Sequence, residues 1–129
     1  MPVTYEIDRK LALIRTRCSG DVRFEEVVRH FRALESDPSL PARVDVLLDL
    51  TEMSSIPETE QIRSVAGEVE RLQHRLEWGA CAIVASRDVL FGMSRMFEVF
   101  AENHFADSHV FRDVDRAELW LASLRPPSL

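Results

Sequence analysis

Glycine is scarce in this chain, with four residues in 129, and none of them sits in a phosphate-binding pattern. The absence of Gly-x-Gly-x-x-Gly, P-loop and Gly-x-Ser-x-Gly arrangements removes the backbone cradles of nucleotide enzymes and the nucleophile elbow of serine hydrolases. Cysteine is limited to Cys18 and Cys81. Both lie in apolar strand-like runs, far apart and without neighbouring ligands, which predicts two reduced buried thiols rather than a redox or metal pair. His30, His74, His104 and His109 share no metal-ligand spacing with acids, so no metal and no cofactor are expected. His30 and His74 project to solvated helix faces. Lysine is nearly missing too: Lys10 is the single one among 16 basic residues. Acids interrupt the arginines throughout, and the net charge is −6, which argues against a nucleic-acid footprint. No apolar stretch approaches the ~20 residues of a membrane span. Met1-Pro2-Val3-Thr4-Tyr5 has neither the basic nor the apolar region of a signal peptide, so a cytoplasmic location is expected.

What the chain does have is an apolar fraction of 46%, enough to build an ordinary globular core without metal or disulfide. Its length suits one domain, expected over residues 1–125, with a frayed tail at 126–129. The most informative stretch runs from Val44 to Thr51. A nearly continuous apolar strand closes on Asp49, and Ser55-Ile56-Pro57-Glu58 follows. Such runs suit a central strand covered by helices. In open α/β sheets, the carboxyl end of a strand leading into a helix is a usual ligand or switch position.

Hydropathy periodicity places the other elements around it. Val3–Ile7 and Leu11–Arg17 alternate about a polar turn at Asp8–Lys10 and predict a hairpin. Ser19-Gly20-Asp21 breaks the strand, and Asp21 is expected to cap a first helix with Phe24, Val27, Val28, Phe31 and Leu34 on its apolar stripe. Two prolines mark the loop Asp37–Pro41. Ser55-x-x-Glu58 matches a capping box, with Pro57 in the first turn of a second helix that Gly79 would end. Ala80–Ala85 reads as a buried strand. Ser86 or Asp88 would cap a third helix reaching about Ala106. His109–Phe111 reads as a short last strand. Asp113 would cap a fourth helix with Ala117, Trp120, Leu121 and Leu124 inward. The order β-β-α-β-α-β-α-β-α predicts an α/β fold with a five-stranded mixed sheet and helices mainly on one face.

This order, the segment Val46-Leu47-Leu48-Asp49-Leu50-Thr51, the strand Ala82-Ile83-Val84-Ala85 and the run Val110-Phe111-Arg112-Asp113 ahead of Ala117 and Trp120-Leu121 together resemble the STAS family, the anti-sigma-factor antagonist fold. Phe91-Gly92-Met93-Ser94-Arg95-Met96-Phe97 resembles a divergent STAS-like branch more than the sigma-regulator branch. The resemblance implies a single STAS-like domain that works through protein contacts rather than catalysis. In sigma regulators an Asp-Ser pair at the second helix start carries a phosphorylated serine. Here Pro57 and Glu58 stand at those positions, and a fixed carboxylate cannot switch charge as a phosphate does. Ser55 and Thr59 are nearby hydroxyls at other positions.

Two surfaces emerge as candidates. The first is the loop Thr51–Thr59 and the start of the second helix, with Thr51, Ser55, Glu58 and Thr59, joined by Asp49 at the strand end and Ser86 at the start of the third helix. Asp49 has no second titrating group opposite it by spacing and reads as a loop brace. The second is the third helix. Val89, Leu90, Met93, Met96, Phe97, Phe100 and Ala101 form a core stripe, and Phe91, Val99 and Phe105 project outside it and could line one seam. The leading expectation is a non-enzymatic regulatory module that docks a protein partner or a second copy. The alternative is a carrier or sensor of a small lipophilic ligand, working free or at a membrane surface, suggested by the Phe- and Met-rich third helix and by the likeness of this branch to CRAL-TRIO lipid-binding domains. A cavity lined by the second and third helices would favour the alternative.

Overall fold

The computed structural model describes residues 2–126. Strands β1 (Val3–Asp8), β2 (Leu13–Gly20), β3 (Arg43–Met53), β4 (Glu77–Val84) and β5 (Asp107–Phe111) form one sheet in chain order. Helices α1 (Phe24–Glu35), α2 (Thr59–Arg71), α3 (Asp88–Phe100) and α4 (Val114–Ser123) connect and follow them. β1 pairs antiparallel with β2, and every later pair is parallel. The expected mixed sheet, the hairpin at its edge and the central position of Val44–Leu50 are all found.

Each parallel step moves one strand along the sheet in the same direction. Crossovers of one hand then put their helices on the same face. Accordingly α1, α2 and α3 share a core with Ile14, Val44, Cys81, Ile83 and Val110. Only α4, after the last strand, packs on the other side, where Ala117 and Leu121 meet Leu13, Leu47, Ala80, Ala82 and Val84. Strand alternation sorts β3 accordingly: Val44, Val46, Leu48 and Leu50 face the three helices, and Leu47 faces α4.

Several boundaries differ from the expected ones. β2 continues to Gly20, whose φ of 66° turns the chain, and Asp21 does not cap α1. The Glu26 carboxylate instead accepts the Arg23 N–H at 3.1 Å. The hairpin turn extends to Ala12, held in the left-handed region at φ 52°, and the Asp8 carboxylate accepts the Leu11 N–H at 3.0 Å. α2 stops at Arg71 and passes through a 3-10 turn, Leu72–His74. Gly79 therefore does not end a helix; it lies inside β4. α3 ends at Phe100, short of Ala106. Asp113 caps α4 as expected, its carboxylate accepting the Arg116 N–H at 2.9 Å. Ala117 and Leu121 are fully buried, whereas Leu124 lies beyond the last turn and is exposed. Of the tail expected to fray, residues 127–129 lie outside the described residues.

The placement of Gly79 has a local cause. Between Val44↔Trp78 and Val46↔Cys81 the β3–β4 register shifts, so Asp45 faces two residues of β4. Its carboxylate accepts the Ala80 N–H at 2.8 Å. A β-carbon on Gly79 would overlap that carboxylate.

Candidate functional site

At the carboxyl end of β3, Asp49 braces its own loop. Its Oδ1 accepts the Thr51 N–H at 2.9 Å and the Thr51 hydroxyl at 2.7 Å. Arg17 stands 3.9 Å from its other oxygen. Ser55 is not the α2 cap. Its hydroxyl accepts the Val22 N–H at 2.9 Å and donates to the Val22 carbonyl at 3.4 Å, tying the α2 approach to the α1 approach. The capping residue is Glu58, and its N–H donates to Gln61 Oε1 at 2.8 Å. Glu58 and Thr59 are exposed, and Pro57 is half-buried.

Neither Ser86 nor Asp88 caps α3; Arg87 is the N-cap, and its guanidinium donates to the carbonyls of Met53 and Ser54 at 3.1 and 3.3 Å. Ser86 acts through its carbonyl, which accepts from Arg112 at 3.2 Å. The same Arg112 nitrogen donates to Asp88 at 2.7 Å, and the guanidinium carbon lies 4.0 Å from the Phe91 ring centroid. Phe91 is thus half-buried under a cation.

The seam expected from Phe91, Val99 and Phe105 is assembled only in part: Val99 and Phe105 line one polar-rimmed groove with Arg95, Glu98 and Glu102, and Phe91 does not reach it. Phe105 is buried, 5.5 Å from the Trp78 ring and 6.4 Å from Phe97. Because α3 ends at Phe100, the following turn folds Phe105 under the helix, and a helical wheel no longer describes it. Val99 is 62% exposed at the rim of that groove. Val89, expected in the core stripe, is exposed, and Ser94 takes a core position by donating its hydroxyl proton to the Leu90 carbonyl at 2.7 Å.

The sheet face under α1, α2 and α3 carries a cavity of about 170 Å³. Val46, Leu48 and Leu50 form its floor from the central strand, Val65 and Ile62 wall it from α2, and Met93 and Phe97 wall it from α3. Pro57 and Phe105 also reach it; Asp49, Thr51, Ser55, Glu58, Thr59, Ser86, Phe91, Met96 and Val99 do not. Val46 and Leu48 occupy the middle strand of a sheet covered on both faces, yet each is only half-buried. Side chains in such positions are ordinarily packed to crystal-like density. The helix layer stands off the sheet here.

The cavity lining contains no Asp, Glu, Lys or Arg. Its polar members are few: the Thr16 and Ser94 hydroxyls, the Cys18 and Cys81 thiols, the His30 imidazole, and the Trp78 indole N–H, which donates to the Val69 carbonyl at 2.8 Å. Burial pushes the Cys18 thiol up to about 12, helped by Asp49, and also raises Cys81, so both thiols stay protonated and inert. His30 is half-buried and not on the fully solvated face that its helical position suggested. Its ring stands edge-on to Tyr5 and Phe31, each 5.4 Å away. Its Nδ1 is buried without a hydrogen-bond partner. Burial holds it down to a pKa of about 4, so the ring is neutral at pH 7. The available signal was its place three residues after Val27 and four before Leu34, on the border of the apolar stripe.

No protein-family model matches this chain, and no curated protein matches it. Among solved structures, it is similar to an uncharacterised protein of the DUF3478 family with a SpoIIAA-like fold from Shewanella loihica PV-4. That likeness covers 92% of this chain and 91% of the other, with a TM-score of 0.60 and 19% sequence identity. Among the described residues no helix is long and apolar enough to cross a membrane. Strand order, helix placement and this likeness agree that the chain has the SpoIIAA-like, STAS-type fold.

Proposed function

We propose that this protein is a non-catalytic binding module that holds a small lipophilic molecule between the sheet and the layer formed by α1, α2 and α3. The observation that carries the reading is the apolar cavity of about 170 Å³ floored by half-buried residues of the central strand. Leaving apolar side chains unpacked at the centre of a domain costs stability, about 20 cal/mol per Å² of cavity surface. An apolar ligand restores those contacts. Cavities of ~150 Å³ lined by Leu, Ile and Phe stay dry and accept benzene. The fold analogy with CRAL-TRIO domains points the same way, but fold alone assigns no task.

A sensor role joins this reading to the protein-contact expectation. Pro57 lines the cavity, while its neighbours Ile56, Glu58 and Thr59 are exposed, Ile56 by 50%. A molecule under Pro57 acts on a segment that also presents an apolar side chain to a protein partner.

Toluene titration followed through methyl NMR signals tests the reading. Saturable shifts of the Val46, Leu48 and Val65 methyls are expected, together with a rise in melting temperature. Val65→Phe, which fills the α2 wall, should abolish them. Unchanged methyl signals up to the solubility of toluene would overturn the proposal.

A further inference from the structure

Two hydroxyl-bearing side chains are buried among the described residues, Thr16 and Ser94, each 4% exposed, and both line the cavity. Ser94 donates its proton to the Leu90 carbonyl, one turn back in α3. Thr16 has no such neighbour. Strand alternation fixes where its side chain points. Leu13 packs against α4, and Arg15 bonds Glu118 on α4, so Ile14, Thr16 and Cys18 point the other way, and all three line the cavity. In register Thr16 stands between Tyr5 and Leu48. Leu48 is apolar, and the Tyr5 hydroxyl already donates to Asp37 at 2.7 Å. The Thr16 hydroxyl makes no hydrogen bond among the described residues. It is also not one of the unbonded side-chain atoms that packing seals off, which belong to His30, Arg71 and Arg125. It therefore opens on the cavity that its residue lines.

A buried hydroxyl proton without an acceptor is a costly state. A carboxylate would accept it, but no Lys or Arg lines the cavity to pair with the charge, and an ammonium would find no Asp or Glu. A hydrocarbon would fit the apolar surface and leave the proton unbonded. An alcohol accepts the proton but brings another that needs a partner of its own, and an amide N–H does the same. A carbonyl oxygen accepts and brings none. Resting on the cavity being a ligand site, we propose that its ligand is an uncharged lipophile of roughly six to ten non-hydrogen atoms, with one carbonyl group and no N–H or O–H, whose carbonyl oxygen accepts the Thr16 hydroxyl proton. The hydrocarbon part lies against Leu48, Val65 and Met93, all in the lining. Thr16 sets specificity, and the apolar wall supplies most of the binding.

Ring compounds of closely similar size separate the possibilities: methylcyclohexane, cyclohexanone, cyclohexanol, cyclohexylammonium and cyclopentanecarboxylate, titrated into the full chain at neutral pH by methyl NMR. Cyclohexanone should bind more tightly than cyclohexanol, and neither charged probe should come within roughly a hundredfold of it. Thr16→Val removes the hydroxyl and keeps the branched shape. It should raise the melting temperature of the unliganded protein, because an unbonded buried hydroxyl is gone. It should weaken cyclohexanone roughly tenfold and leave methylcyclohexane bound at least as tightly. The infrared carbonyl stretch of bound cyclohexanone should lie below its value in hexane, and return to that value in Thr16→Val. A stretch at the hexane value in the unmodified protein would overturn the hydrogen bond without any variant. If methylcyclohexane binds while cyclohexanone ignores Thr16→Val, or if the variant melts lower than the parent, the Thr16 assignment fails and the cavity reading stands. Cyclohexanol binding as tightly as cyclohexanone would overturn the carbonyl class, and a charged probe doing so would overturn the uncharged one. If neither hydrocarbon, methylcyclohexane or toluene, binds, the cavity reading falls and this inference with it.

Discussion

The Asp45 carboxylate occupies the space that a β-carbon on Gly79 would need, and from there it accepts the Ala80 N–H at 2.8 Å. The side chain of one strand thus replaces a main-chain acceptor of its neighbour at the point where the register slips. Gly79→Ala should destabilise the protein by about 1–3 kcal/mol through overpacking. Asp45→Ala should cost a similar amount, about 1–3 kcal/mol, by leaving the Ala80 N–H without its acceptor. In the double variant the alanine at 79 has room, so the combined loss should fall short of the sum by about 1 kcal/mol or more. Urea denaturation of the four proteins measures this cycle, and strict additivity would show that the two residues do not share one space.

His30 gives stability a distinct pH dependence. Its pKa is about 4 in the folded chain and about 6.5 when unfolded. Between those values the unfolded chain holds the extra proton, so stability is full above about pH 6.5 and falls as pH drops to about 4. The loss should be on the order of 3 kcal/mol. The carboxylates of Glu35 and Asp37, held low by Arg71 and Tyr5 respectively, lose their contribution at more acid pH. Glu98, raised by burial, works in the opposite sense. Comparing His30→Phe with the parent across pH 4–7 isolates the histidine: the variant's curve should be flatter. Parallel curves would mean that the imidazole is solvated.

Ser55 and Gln61 divide a task that one serine was expected to perform. Ser55→Ala should cost about 0.5–1.5 kcal/mol by releasing the Val22 N–H, with α2 helicity unchanged. Gln61→Ala should fray the first turn of α2, which carries its side-chain bond to Glu58 N–H. Amide exchange at residues 22 and 58–61 distinguishes the two. Because both ends of the Ser55 hydroxyl engage Val22 and Glu58 is a fixed charge, protein purified from cells should carry no stoichiometric phosphate on Ser55 or Thr59. Intact-mass measurement checks this.

Phe91 and Val99 should behave differently. Phe91→Ser removes a half-buried ring and the π-face beneath Arg112, and should lower stability by about 1–3 kcal/mol. Val99→Ser, at an exposed position, should stay within about 0.5 kcal/mol of the parent. Arg112→Ala should reproduce part of the Phe91 effect, because the same guanidinium also holds Ser86 and Asp88 at the start of α3. Thermal melts rank the three, and a large loss at Val99 would contradict its exposure.

Periodicity and turn chemistry determined the element order, the edge hairpin, the central strand and the Asp113 cap, because each depends on residues within a few positions of one another. Sequential strands with one handedness of crossover then determined which face takes three helices. Tertiary structure decided the rest. Ser55 finds its partner 33 residues away, Gly79 answers a carboxylate on another strand, and Phe105 is buried because α3 stops five residues earlier than Phe105. The cavity is the furthest from the sequence. Its volume is what remains after α1, α2, α3 and four strands have set their spacing, and no local pattern encodes that remainder. An apolar run such as Val46–Leu50 looks the same whether neighbouring side chains fill the space above it or leave it to a ligand.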